Sequence, residues 1–305
     1  MLTFDRILLA SDFSASAEAA LRYAAALAHQ SRASLLMMHV IETRVAALPR
    51  WTDVFRSAEA FAEIEAADRA AVQRLLTHPA LAGLTVETIV QHGNPCDCLV
   101  DMAPRVDLVV MGTSGQGTAC GRSTGKVARQ VAHASPVPVL LVPPGGGQVG
   151  LPELGGDRLP WQCLLLALHP TQYAPQAIAL WQALASACGA TRLVLQVIEP
   201  DKAASYPLAA GTGMHHNLDA LKVVLAKRLA EVVPDDPPGP PLERLVLVGR
   251  AAEVIVQQIA ERRVDLVVMS VHAYGVLRKF FTLSTVDAVL EQAPCPVLAV
   301  PFPDL

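Results

Sequence analysis

Val106-Asp107-Leu108-Val109-Val110-Met111 recurs later in the chain as Val264-Asp265-Leu266-Val267-Val268-Met269, the same six residues in the same order. An unbroken apolar run behind an aspartate suits a strand buried on both faces, as in a parallel sheet covered by helices. The surroundings repeat as well. Each copy is followed by an apolar run set among prolines, Ser135–Pro143 (SPVPVLLVP) and Ala293–Pro301 (APCPVLAVP). Each is preceded by another, Arg6–Ala10 (RILLA) and Cys163–Ala167 (CLLLA). Matching elements in matching order indicate an internal duplication. Between the copies, Pro143–Pro160 (PPGGGQVGLPELGGDRLP) is rich in Gly and Pro and without periodicity, and reads as a linker. The expected organisation is a domain at 1–144, a linker at 145–159 and a second domain at 160–305.

Working outward through the first copy, short Val/Leu/Ile runs alternate with Ala-rich segments. Strands are expected at Ile7–Ala10, Ser34–Ile41, Val86–His92, Leu108–Gly112 and Val137–Val142. Helices are expected from Ser14 to about Gln30, near Ser57–Thr77, from Pro95 to about Ala103 and near Thr124–Ala134, with an irregular segment at Leu48–Thr52. Alternating strands and helices imply βαβ units. Right-handed crossovers then place helices on both faces. The predicted fold class is α/β: two tandem doubly wound, mostly parallel five-stranded sheets with helices on both faces.

Size and composition agree. The 305 residues suffice for two domains, and 52% are hydrophobic while only 5% are aromatic. Such a core of small aliphatics suits buried strands under Ala-rich helices. The net charge of −4, without a basic block, argues against a nucleic-acid surface. No apolar run approaches the ~20 residues of a membrane-spanning helix, so no membrane insertion is expected. The start, MLTFDRILLASDFS, has no basic region ahead of its apolar run and does not read as a secretory signal. Cys96, Cys98, Cys120, Cys163, Cys188 and Cys295 show no C-x-x-C spacing and read as reduced thiols. A cytoplasmic protein is expected.

In a doubly wound sheet, ligands bind beyond the carboxyl ends of strands near the topological switch point. Two loops qualify. After the first strand comes Ser11-Asp12-Phe13-Ser14. The Asp12 carboxylate can accept hydrogen bonds from ribose hydroxyls or a base; equally, Asp12, Ser14 or Ser16 can cap the helix that follows. After the fourth strand, Gly112, Gly115, Gly117, Gly121 and Gly125 crowd into Met111–Ala132, with Arg122 and Lys126 beside them. Glycines let backbone N–H groups approach an anion, and a helix N-terminus adds unpaired donors. A phosphate cradle is one reading and a glycine-rich surface loop the other. A P-loop is excluded: Cys120 stands where it needs glycine, and Val127 where it needs a hydroxyl. A dinucleotide fingerprint is excluded too, since no glycine follows the first strand.

The spacing Gly112-x2-Gly115-x9-Gly125 behind Asp107–Met111 resembles the ATP-binding signature of the universal stress protein family, G-x2-G-x9-G-[ST]. The resemblance extends over nearly all of both halves. It implies that Ala10, Asp12 and Val40 meet the nucleoside and that Met111, Gly112, Ser114 and Gly115 line the path to the phosphates. Gly125, Lys126 and Val127 would hold those phosphates. It further implies ATP as ligand, with AMP or ADP as alternatives and magnesium as companion ion. Lys126 departs from the family's Ser or Thr: a backbone N–H survives the change, and an ammonium can hold phosphate as a point charge, but a hydroxyl is lost. The resemblance also implies that the last strands pair between domains, and that a homodimer forms through them.

The second half departs further. His169 aligns with Asp12, Ser270 with Gly112 and Ala273 with Gly115, while Ser284-Thr285 stands where the family has Gly-Ser. A comparable ATP site is not expected there. Arg278 and Lys279 suit a solvated basic face or an anion, and His215-His216 read as exposed histidines. No glutamate lies in Met111–Ala134 to act as a base. The leading expectation is a nucleotide-binding stress-response or signalling protein, not an enzyme, acting on an unidentified protein partner. The alternatives are an interaction module that binds no nucleotide, and a slow ATP-hydrolysing or adenylating enzyme.

Overall fold

The computed structural model describes residues 4–42, 51–115, 124–156, 158–170, 173–203, 206, 217–235, 239–272 and 285–302, without the side chains of 51–62 and 64. Gly117, Cys120, Gly121, Arg122, His215, His216, Ala273, Arg278, Lys279 and Ser284 lie outside the described residues.

The first half runs β1 (Arg6–Ala10), α1 (Ala15–Ser31), β2 (Ser34–Glu42), α2 (Trp51–Leu76), β3 (Val86–Gly93), α3 (Pro95–Met102), β4 (Leu108–Gly112), α4 (Lys126–Ala134), β5 (Val139–Val142). The second half repeats that order: β6 (Cys163–Leu168), α5 (Pro175–Cys188), β7 (Thr191–Ile198), α6 (Leu218–Val232), β8 (Leu242–Val248), α7 (Ala251–Arg262), β9 (Leu266–His272), α8 (Thr285–Gln292), β10 (Val297–Phe302). Helix α2 begins at Trp51, ahead of the expected Ser57, and takes in the end of the segment read as irregular.

The repeated aspartate has one job in both copies. Asp107 Oδ2 accepts from the backbone N–H of Asp5 and Arg6 at 2.7 and 2.9 Å. Asp265 Oδ2 accepts from Gln162 and Cys163 at 2.6 and 2.9 Å. Each carboxylate thus satisfies donors at the start of the neighbouring strand and sets the β1–β4 and β6–β9 registers. The α/β class with two doubly wound halves is as expected. The halves are not separate sheets, however. The strand order is β3-β2-β1-β4-β5-β10-β9-β6-β7-β8, parallel within each half and antiparallel at β5–β10, where Val139, Leu140 and Leu141 face Ala299, Leu298 and Val297. This is the pairing of the last strands between domains that the resemblance implies: β5 is flanked by β4 and β10, and β10 by β9 and β5, so neither keeps an open edge.

Strand alternation divides the core into two layers. Ile7, Leu9, Leu35 and Met37 face α1 on one side of the sheet, with Trp181 and the α6 leucines continuing that layer in the second half. Leu8, Ala10, Leu36 and Met38 face α3 and α4 on the other, continued by α7 and α8. Helix α1 shows why the sequence is so rich in alanine. Ser14 caps it, accepting from Ala17 N at 3.2 Å, and Arg32 ends it in the left-handed region at φ 58°. Between these, Ala19, Ala20, Ala24, Ala25, Ala26 and Ala28 are at most 1% exposed, so little but alanine fits this close to the sheet.

The segment read as a linker packs on both halves. Tyr23 on α1 donates to Gly150 O at 2.9 Å and stacks on Trp161 with ring centroids 5.6 Å apart. Gln148 N donates to Pro294 O at 2.8 Å, and its side chain donates to Val264 O at 3.1 Å. Trp161 and Trp181 are buried packing residues, and Trp181 Nε1 donates to Leu164 O at 3.0 Å. The described cysteines, Cys96, Cys98, Cys163, Cys188 and Cys295, are all free, and burial raises each thiol, those of Cys163 and Cys188 to about 11.

Gly147 is the tightest point of the connection. Its φ is 72° and its ψ −149°, a region closed to other residues, and a β-carbon there would strike the Pro294 carbonyl, its carbon lying 2.9 Å away. Gly155, at φ 69°, has open space around it. Gly147→Ala is expected to destabilise the protein by about 3 kcal/mol and Gly155→Ala by about 1 kcal/mol, read as shifts of a urea unfolding midpoint.

Candidate functional site

After β1 the chain moves through β2 to β3, then crosses back to lay β4 on the other side of β1. The carboxyl ends of β1 and β4 therefore open at the switch point of the first half.

Ser11 continues β1, donating its N–H to Met38 O at 3.0 Å. Phe13 then adopts φ 61°, which turns the chain sharply into α1. Ser14 is the cap of α1, while Asp12 Oδ1 accepts from Ser14 N at 3.1 Å. Asp12 therefore shapes the turn, and its second oxygen faces Gly115: a β-carbon on Gly115 would lie 2.8 Å from Asp12 Oδ2. The two loops expected to meet a ligand are brought together at this contact.

The β4 loop is held against α1 by serines that sequence reading treated only as caps. The hydroxyls of Ser14 and Ser16 both reach the carbonyl oxygen of Ser114, the former at 3.2 Å. Gly112 has a packing role as well, since a β-carbon there would sit 2.8 Å from both the carbonyl carbon and the Cβ of Ser16. Thr113 continues β4 through its N–H to Val142 O at 2.9 Å, and its own carbonyl accepts from Gly125 N at 2.6 Å. That bond returns the chain to the cleft and sets Gly125 as the N-cap of α4. Among the described residues no side chain caps this helix, and its first bond is Arg129 N to Gly125 O at 3.1 Å. The N–H groups of Lys126, Val127 and Ala128 thus have no intrahelical acceptor, at the positive end of the helix dipole. Lys126 is exposed beside them. Ala10, Val40, Met111 and Val127 belong to the apolar layer beneath.

One residue near the cleft carries no sequence motif. His39 is 8% exposed, and its Nδ1 bonds Ser11 O at 2.7 Å. Its Nε2 lies 3.4 Å from Asp68 Oδ2 and its ring 4.4 Å from that of Phe13. A carbonyl accepts only, so Nδ1 carries the proton and the imidazole pins the turn that presents Asp12. Its position in an apolar strand, one residue before Val40, was the only available signal.

Among its described residues the second half shows no such arrangement. Strand β9 runs on through Ser270, Val271 and His272, paired with Val300, Pro301 and Phe302, whereas β4 ends at Gly112. His169 sets its ring edge-on to Tyr206 at 6.2 Å in place of a carboxylate.

A doubly wound sheet used twice, with a glycine-lined cleft beside a helix start at one switch point, defines a tandem α/β protein with one such cleft among the described residues. The chain belongs to the universal stress protein family, whose profile matches residues 3–143 and again 161–301. It is 32% identical over 141 residues to the Thermus aquaticus "Universal stress protein in QAH/OAS sulfhydrylase 3'region", an alignment covering 46% of this chain and 98% of that protein. In fold it is similar to a universal stress protein from Archaeoglobus fulgidus DSM 4304, with a TM-score of 0.63 and 16% identity over 98% of this chain and 97% of that one. A functionally unknown Pseudomonas aeruginosa PAO1 protein matches with a TM-score of 0.60 and 12% identity over 98% and 92% of the two chains.

The two cleft glycines should separate experimentally. Gly112→Ala pushes on the backbone of α1 and is expected to destabilise by about 1–3 kcal/mol. Gly115→Ala meets, among the described residues, the end of the Asp12 side chain and is expected to stay within about 0.5 kcal/mol of the parent. Urea unfolding of the two variants checks this; equal losses would contradict the packing role assigned to Gly112.

Proposed function

We propose that this chain is an ATP-binding stress-response or signalling protein that holds one nucleotide in its first half and performs little or no catalysis. One observation carries the reading: Asp12 faces Gly115 in the cleft that also holds the uncapped N-terminus of α4. A carboxylate suits ribose hydroxyls, and backbone N–H groups at a helix start suit phosphates. In this reading Ala10 and Val40 meet the nucleoside with Asp12, and Met111 lines the wall. Gly112, Ser114 and Gly115 let the phosphates pass, and Gly125, Lys126 and Val127 hold them. Lys126 supplies charge where a hydroxyl would otherwise stand. Among the described residues no group of three His, Cys, Asp or Glu side chains converges, so magnesium would arrive on the phosphates and not in a protein cage.

The domain bounds 1–144 and 160–305 are proposed with this reading, the second domain serving without a comparable nucleotide site. A cytoplasmic setting is proposed also; among the described residues no helix is long and apolar enough to cross a membrane. Nucleotide occupancy would alter the surface at the β4–α4 end, where a protein partner reads it, because a ligand favouring one state shifts the population toward it.

Calorimetric titration with ATP and adenosine tests the assignment. Lys126→Met is expected to weaken ATP about fivefold while leaving adenosine within twofold, the loss of one exposed charge at a phosphate. Asp12→Asn is expected to weaken both ligands about tenfold, since a charge-assisted bond to the sugar is lost. A parent protein that does not bind ATP at millimolar concentration with magnesium would refute the proposal. Mass spectrometry of nucleotide released from the purified protein would distinguish ATP, ADP and AMP.

A further inference from the structure

Helix α4 lies beside α8 of the second half, on the same face of the sheet and over the β5–β10 seam. Four polar contacts cross between them. Thr124, 5% exposed and one residue before the α4 cap, donates its hydroxyl to Leu290 O at 2.7 Å. Leu290 is in the last turn of α8, where carbonyls have no acceptor role inside their own helix. Arg129 reaches Glu291 at 2.5 Å through Nη2 and approaches Asp287 at 3.9 Å through Nε. His133 Nε2 meets Asp287 Oδ1 at 2.9 Å, both side chains being 7% exposed. The contacts repeat along α4 from its N-terminal approach to its last turn.

The N-terminus of α4 is therefore held from two sides. Within its own half, Thr113 O accepts from Gly125 N. From the other half, the C-terminal end of α8 takes the Thr124 hydroxyl, and two carboxylates take the basic side chains that follow. We infer that the second half is the positioning partner of the first half's anion cleft: Asp287, Leu290 and Glu291 set where the α4 N–H groups point, and so set affinity for the phosphate end of a nucleotide. This rests on the nucleotide reading proposed above and gives the second half a role that needs no ligand of its own. Coupling of this kind is reciprocal, so nucleotide in the first half must also tighten the α4–α8 contact.

The test uses Thr124→Val and Glu291→Gln in the full chain, with two readouts. Hydrogen exchange follows the amides of Arg129, Gln130 and Val131, the first donors bonded within α4; both variants are expected to exchange these several-fold faster. Titration then compares ligands: ATP is expected to weaken about five- to tenfold in each variant while adenosine stays within twofold. Thr124→Ser, which keeps the hydroxyl that Leu290 O accepts from, is expected to hold ATP affinity within twofold of the parent. Unchanged α4 exchange in both variants, or an equal loss for ATP and adenosine, would overturn the positioning role. If the parent protein binds no ATP yet both variants release the α4 amides, the brace stands and the nucleotide reading falls.

Discussion

Everything in this molecule leans on one short antiparallel ladder, Val139–Leu141 against Ala299–Val297. Two doubly wound sheets standing alone would each expose a hydrophobic last strand, a ready template for uncontrolled pairing. Here each strand covers the other. Because the pairing is antiparallel, the halves face each other about a pseudo-twofold axis, and the helices follow. Helices α1 and α5 meet on one face, with Gln30 donating to Ala187 O at 3.4 Å, while α4 and α8 meet on the other. The Gly-Pro connection can be tight because the ends it joins are already close, and Gly147 marks how little room remains.

The cleft depends on the same arithmetic of close approach. Gly112 lets α1 lie against β4, and Gly115 lets the β4 loop come up to Asp12. Gly125, by contrast, has only ordinary van der Waals neighbours around the position of a β-carbon, the nearest being Thr113 O at 3.5 Å. Three glycines that look equivalent in a spacing pattern thus have different surroundings, and of the three Gly112 alone meets backbone closer than 3 Å. Among the described residues no side chain caps the helix start behind them, and an uncapped N-terminus at a switch point is suited to an anion.

Much of this was legible in the sequence. Local apolar patterning reports burial directly, so the repeated VDLVVM, the strand order of types and the helix positions could be read from it. The glycine loop and Asp12 could be placed at strand ends by topology alone. The joining of two sheets into one could be expected only through resemblance, because no local pattern tells which edge a strand will meet. Ser14 and Ser16, which tie α1 to Ser114, read as caps because their partner lies far along the chain. His39, in an apolar run, showed nothing of its bond to Ser11 O. Thr124 and Asp287 were silent for the same reason: their meaning lies in the other half.

A symmetric pair of identical subunits must carry any substitution twice, once at each equivalent site. Joining the halves through Gly145–Gly150 removes that obligation. Asp12 and His169 occupy corresponding places, as do Gly112 and Ser270, yet each half keeps its own residue. One chain can thus let its two switch points diverge independently, a freedom that a dimer of like parts is denied.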